Sequence, residues 1–142
     1  MRKIKYTKKK CLKLFSEIVK LRDGNSCQVC GKDGKDGKID VHHIISSTFL
    51  PFELWNGICL CPSAHSFGSV SFHKNPVASV NWLQKNKPVQ YKKIKAFKYE
   101  KKKRPNYKKI HEQLTSLKRL YVLYPEGNWD ELQNELQSEE TK

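Results

Sequence analysis

The chain has 142 residues, 37% apolar and 30% charged, with 28 Lys and Arg against 14 Asp and Glu and a formal net charge of +14. That length suits one modest domain with appended helices. The charge points to a polyanion as partner, nucleic acid first and an anionic membrane surface second. No apolar run approaches the ~20 residues that a membrane span needs, and the opening MRKIKYTKKK lacks an apolar signal region; a cytoplasmic, intracellular protein with reduced thiols is expected.

The first stretch, residues 1–23, reads as a basic arm and a helix. Seven cations fall before or at Lys13, in an arm of the kind that lies along phosphates in DNA-binding proteins. Leu12, Phe15, Ile18 and Val19 recur at helical spacing between Lys8 and Arg22, and Asp23-Gly24 supplies a stop. This helix is expected to pack on the module that follows it and to carry no chemistry.

The Cys/His-rich module runs from Gly24 to about His73, within a unit spanning residues 24–86. It opens with CQVCGKDGKDGKIDVHHI, residues 27–44. In a reduced compartment five cysteines favour metal binding over disulfides. Cys27-x-x-Cys30-Gly31 has the shape of a zinc knuckle: the turn lets two thiolates meet one ion, and Gly31 relieves the crowding. Gly57 to Cys61 reads as a strand, with Cys61-Pro62 its exit into a helix, so Cys61 is the third expected ligand of a structural Zn²⁺. The usual fourth position lies three residues on, where Ala64 offers no donor. His73, His65 and Cys59 stay open as the fourth ligand, with His73 first; Cys59 shares the strand face of Cys61 by the period of two. A module this small would gain much of its folding free energy from the ion.

His42-His43 serves no zinc knuckle. Flanked by Asp40, Val41, Ile44 and Ile45, the pair reads as a strand presenting imidazoles at its end, where one can bind a divalent ion and the other take a proton near neutral pH. On an ideal strand the two rings face opposite ways, so a shared site requires a bend or strong twist there.

Asn75-Pro76 starts a helix, with Asn as N-cap and Pro at the first helical position; it runs to about Lys85 and is expected to bury Val77, Val80 and Trp82 or Leu83. Residues 87–142 read as a basic segment and C-terminal helices. Lys85 to Lys109 holds twelve Lys/Arg and one acid, Glu100, interleaved with Tyr91, Phe97, Tyr99 and Tyr107. Aromatics that pack or stack among cations that meet phosphates mark an ordered nucleic-acid contact; the expected DNA-contacting residues are Lys92, Lys93, Lys95, Lys101, Lys102, Lys103 and Arg104. Pro105-Asn106 opens a helix with Tyr107, Ile110, Leu114, Leu117, Tyr121 and Tyr124 on one stripe, ended by Pro125, and a short helix through Trp129, Leu132 and Leu136 is expected to close the fold. Residues 112–142 carry seven acids against three cations, so the positive charge is concentrated before residue 110.

The order CxxC, then DVHHI, then WNGICLCPSAH with a later His resembles the HNH endonucleases over about Gly24 to Pro76. The resemblance implies an α+β fold: a small ββα-metal core with a zinc knuckle, flanked by the N-terminal helix and the C-terminal helices. It implies a metal-dependent endonuclease that hydrolyses phosphodiester bonds of double-stranded DNA, as a monomer or homodimer, of the size of phage-encoded nucleases. By position, His43 matches the general base, His42 a ligand of the catalytic ion, Asn56 the residue that orders the loop and helps orient the base, and His65, nine residues after Asn56, the helix His on the ion. Mg²⁺ or Mn²⁺ is the expected catalytic ion, though imidazoles accept other divalent ions. Two positions depart from the pattern. Ala64 stands in place of a zinc ligand, and Ser69 stands where the DNase colicins carry a further metal His. A regular helix would set His65 and His73 about 12 Å apart, but Gly68 interrupts it, so His73 could fold back to the catalytic ion or serve the zinc. The rival reading is a non-catalytic zinc-bearing nucleic-acid-binding module, which explains charge and cysteines but not His42-His43 or the Asn56–His65 interval.

Overall fold

The helix of the first stretch, α1, spans Lys8–Arg22. Thr7 caps it by accepting from the Lys10 amide at 3.2 Å, and Gly24 and Asn25 then take positive φ to turn the chain away. Its buried face is Cys11, Phe15, Ile18 and Val19. In the computed structural model, which describes residues 3–35, 37–67, 71–99 and 104–125, this face is the centre of the core. Leu114, Leu117 and Tyr121 of the last described helix pack on it, together with Leu54, Ile58, Cys59 and Leu60.

The remaining elements follow in order. Strand β1 is Asp40–His43, a 3₁₀ turn is Leu54–Asn56, and strand β2 is Gly57–Leu60. A π-type turn covers Ser63–Phe67, and three helices follow: α2 at Pro76–Asn86, α3 at Pro88–Ala96 and α4 at Tyr107–Leu123. The strands pair antiparallel, with His42 opposite Ile58 and His43 opposite Gly57. This is a small α+β fold of a two-stranded sheet among helices. A two-stranded sheet is marginal alone; here every residue of β2 is buried, with α1 packed against both strands.

Gly57 permits that packing. A Cβ built on it would lie 2.7 Å from Phe15 Cζ and 2.8 Å from Val19 Cγ2, far inside normal contact. Gly57→Ala is therefore expected to destabilise the protein by about 1–3 kcal/mol through overpacking, read by urea denaturation. Because Phe15 also stacks on His43, the same change is expected to disturb the site described below.

Two stretches depart from expectation. In α2, Val77 and Val80 were expected inside but are 72% and 44% exposed; Ser79 and Leu83, one turn apart, face the core instead. The helix start is as read: Asn75 caps it by accepting from the Ala78 amide at 3.1 Å. In the basic segment, α3 is a helix of its own. Gln90 ties it to the turn before β2 and to the first residue of that strand, donating to the Trp55 and Gly57 carbonyls at 2.7 and 3.1 Å, and Tyr91 and Ile94 pack on the core.

Helix α4 begins as expected, Asn106 accepting from the Lys109 amide at 3.1 Å. Its stripe stops short, since Tyr124 is exposed. The stretch through Trp129, Leu132 and Leu136, expected to form a short helix, lies outside the described residues. Among the described residues, no helix is long and apolar enough to cross a membrane.

Candidate metal centres

Two clusters of potential metal ligands occur among the described residues, Cys27/Cys30/Cys61 and His42/His65/His73, each with its ligand atoms within 4.8 Å of one another.

The thiol cluster is built by a tight turn and the end of β2. The Cys27 amide donates to the Lys32 carbonyl at 2.9 Å and the Gly31 amide to the Cys27 carbonyl at 2.8 Å, closing the knuckle. Gly31 has φ +77, a conformation that suits glycine. Cys61 follows β2 and brings its sulfur to 3.5 Å from that of Cys30. Burial opposes the Cys27 thiolate, but the backbone amides of Cys30, Cys61 and Val29 outweigh it and hold the pKa below the ordinary thiol value. At Cys30 the Lys32 backbone favours the thiolate, while burial and the other two thiols push its pKa up. Three sulfurs that share so little space fit a thiophilic ion such as Zn²⁺.

Cys59 is not a member of this cluster. It is fully buried on β2, and burial together with Asp23 pushes its pKa up to about 12. Its thiol stays neutral and packs as a small apolar group. Nor does His73 join the thiols, although it ranked first as the fourth ligand. It stands with His42 and His65.

The imidazole cluster depends on a chain reversal. His65 sits in the π-type turn, and the chain then returns so that the Phe72 amide donates to the Ala64 carbonyl at 2.8 Å and the His73 amide to the His65 carbonyl at 3.1 Å. This return removes the ~12 Å separation of a regular helix. It sets the Nε2 atoms of His65 and His73 2.9 Å apart. The His42 ring meets them edge-on, at centroid distances of 4.9 Å from His65 and 4.8 Å from His73. Ser69, the further colicin-like ligand position, lies outside the described residues.

Protonation decides what this trio can do. The Asp40 carboxylate lies 3.3 Å from His65 Nδ1; the ring donates there, which directs its basic Nε2 toward His73. A single proton can join the two facing nitrogens, and a divalent ion can replace it. Ligand nitrogens ~2.1 Å from an ion lie roughly 3–3.5 Å apart, so the trio fits a metal with little adjustment. Asp40 was seen in the sequence only as a flank of the His pair; its place two residues before His42 on β1, pointing to the same side, was the available signal.

His42 is the innermost ring, 9% exposed. Burial, then the neighbouring His65, His73 and His43, lower its pKa to about 3, so it remains neutral and ready to ligate. The unfolded chain takes that proton near pH 6.5. The native state without metal therefore loses stability as pH falls below about 6.5, by up to ~1.4 kcal/mol per pH unit from this group, until the native ring itself titrates. Ring ¹⁵N chemical shifts should show His42 neutral at pH 5; a midpoint near 6.5 would contradict the packing described.

His43 faces the other side of β1. Its ring stacks on Phe15 at 4.8 Å and 16°, and its Nε2 lies 3.0 Å from the Pro51 carbonyl. A carbonyl only accepts, so Nε2 carries the hydrogen and Nδ1 is the basic nitrogen. The loop bearing Pro51 is held by Asn56, which is fully buried. Its Oδ1 accepts from the Ile45 amide at 2.6 Å, and its Nδ2 donates to the Ile45 and Leu50 carbonyls at 2.8 and 2.9 Å. Despite their opposite strand faces, His42 and His43 line one open cleft of about 550 Å³, together with His65, His73, Ser46 and Ser47.

Of the cationic residues expected on DNA, Lys92 and Lys95 of α3 and Arg104 are exposed and Lys93 is half-buried. Lys101, Lys102 and Lys103 lie outside the described residues. Tyr91 and Tyr107 pack on the core. Tyr99 is exposed, with its ring 5.0 Å from Phe49 and 4.9 Å from Phe97.

Comparison with protein-family models, with curated proteins and with solved structures gave no match.

Proposed function

We propose that the protein is a metal-dependent DNA endonuclease of the HNH type, with β1, β2 and the turn carrying His65 as its ββα-metal core. The observation that carries this reading is the meeting of four histidines at one cleft: His42, His65 and His73 with ligand atoms within 4.8 Å, and His43, from the opposite face of β1, lining the same cleft. A zinc-bearing binding module has no use for such an arrangement.

His42, His65 and His73 would hold the divalent ion, Mg²⁺ or Mn²⁺, and Asp40 orients His65. When bound, the ion supplies offset for the charge that builds on the phosphoryl and leaving oxygens. His43 is the general base. Its Nε2–H is spent on the Pro51 carbonyl, so Nδ1 can take the proton of a water attacking phosphorus. Asn56 acts through the loop, fixing Leu50 next to that carbonyl. Cys27, Cys30 and Cys61 would hold Zn²⁺, joining the knuckle to the end of β2. The net charge of +14 and the exposed cations of α3 favour a polyanionic duplex held by its backbone, which gives affinity without sequence preference.

Supercoiled plasmid tests the reading. Nicking or linearisation is expected with Mg²⁺ or Mn²⁺, none in EDTA, and recovery when the ion is restored in excess. Intact plasmid with every divalent ion, together with undiminished DNA binding, would favour the non-catalytic module.

A further inference from the structure

We infer that the Cys27/Cys30/Cys61 site is an open three-thiolate centre whose fourth coordination position is filled from solvent and accepts a small exogenous thiol. Structural zinc sites are closed by four protein ligands, whereas sites with three keep an exchangeable position. The usual donors for closure are accounted for elsewhere. His65 and His73 face each other across 2.9 Å in the imidazole cluster. Cys59 is buried on β2 beside Asp23. No other His, Cys, Asp or Glu among the described residues joins the three sulfurs.

Position 64 explains the gap. The chain leaves Cys61 in a helical turn, with the His65 amide donating to the Cys61 carbonyl at 2.9 Å. A residue three after Cys61 therefore lies over the same face, and there the chain has a methyl group packed against the core. The approach from solvent is also set. Cys27 and Cys61 are buried, but Cys30 is exposed, so the unfilled position opens on the Cys30 side.

The chemistry of such a centre is ligand exchange. Three thiolates leave a divalent ion with one net negative charge and a water in the fourth place. An incoming thiol loses its proton to the buffer and binds as thiolate, and the water departs; no electron is transferred. Zn²⁺ is soft enough to prefer sulfur at that place, and the strongly basic chain, at +14, tolerates the added negative charge.

Cobalt substitution tests this without reference to cleavage. The holoprotein is stripped and reloaded with one equivalent of Co²⁺ in a phosphine reductant, and its sulfur-to-cobalt charge-transfer band is followed as 2-mercaptoethanol is added. The band reports only thiolate ligands, so cobalt on imidazoles does not contribute. A rise of about one third is expected, from three sulfurs to the four of a closed tetrahedral site. Ala64→Cys is expected to show the higher band without added thiol and no response to it. A wild-type band that does not change, or that is lost as cobalt is stripped, overturns the inference; this titration stands whether or not Ala64→Cys folds. Failure of plasmid cleavage would leave it standing, since the imidazole site takes no part.

Discussion

On the proposed nuclease reading, His43→Ala is expected to lower the single-turnover rate of plasmid cleavage by about 10²–10⁴-fold, the usual contribution of a positioned general base, with little change in DNA affinity. His43 is apart from the His42/His65/His73 trio proposed to hold the ion, so Mn²⁺ binding to the variant should also be near normal. Its position rests on two contacts from different parts of the chain. Phe15 of α1 stacks on the ring, and the Pro51 carbonyl takes its Nε2–H. The stack fixes the plane of the ring, and the carbonyl selects the tautomer whose basic nitrogen is Nδ1. Rates and fluorescence anisotropy on the same oligonucleotide duplex separate catalysis from binding. Equal loss in both would assign His43 a structural part instead, and an unchanged rate would remove it from the chemistry.

Asp23→Ala is expected to give the largest loss of stability of any single charge removal, about 3–5 kcal/mol. Asp23 is 6% exposed and Arg22 18%. The carboxylate accepts from Arg22 Nε at 2.8 Å and Nη2 at 3.1 Å, and from the Cys59 amide of β2 at 2.9 Å. The guanidinium in turn donates to the Leu54 and Gly57 carbonyls, each at 2.6 Å. One adjacent pair thus fastens the end of α1 to the 3₁₀ turn and to β2. Removing the carboxylate strands a desolvated cation and orphans a buried amide. The double variant Arg22→Ala/Asp23→Ala should lose less than the sum of the single variants. A loss under about 1 kcal/mol for Asp23→Ala would place the pair with ordinary surface ion pairs.

Local chemistry was the legible part of the fold. The end of α1 follows from the Asp23-Gly24 stop, and the starts of α2 and α4 from Asn75 and Asn106, whose side chains satisfy amides three residues on. The two strands around the His pair and Gly57-Ile58-Cys59-Leu60 were legible from composition and flanking turns. So was the grouping of Cys27, Cys30 and Cys61, because a CxxC turn can hardly point its sulfurs apart.

The illegible part was set over distance. Helix α3 was hidden because Lys87-Pro88 reads as a break and its cations mask the apolar face of Tyr91 and Ile94. Val77 and Val80 looked like core by type, yet α2 turns Ser79 and Leu83 inward, with Trp82 against Phe72. His73 could be assigned to neither metal from the sequence, since its place depends on backbone bonds back to Ala64 and His65. Asp23 read as a helix stop, and nothing local shows its bond to the Cys59 amide thirty-six residues on.

Diffraction from crystals grown with Mn²⁺ and measured on both sides of the manganese edge tests the imidazole centre directly. One anomalous peak is expected in bonding contact with Nε2 of His65, Nε2 of His73 and a ring nitrogen of His42. A map with manganese bound elsewhere, or with the three rings in place and no ion between them at millimolar Mn²⁺, would contradict a hydrolytic metal centre in this cleft.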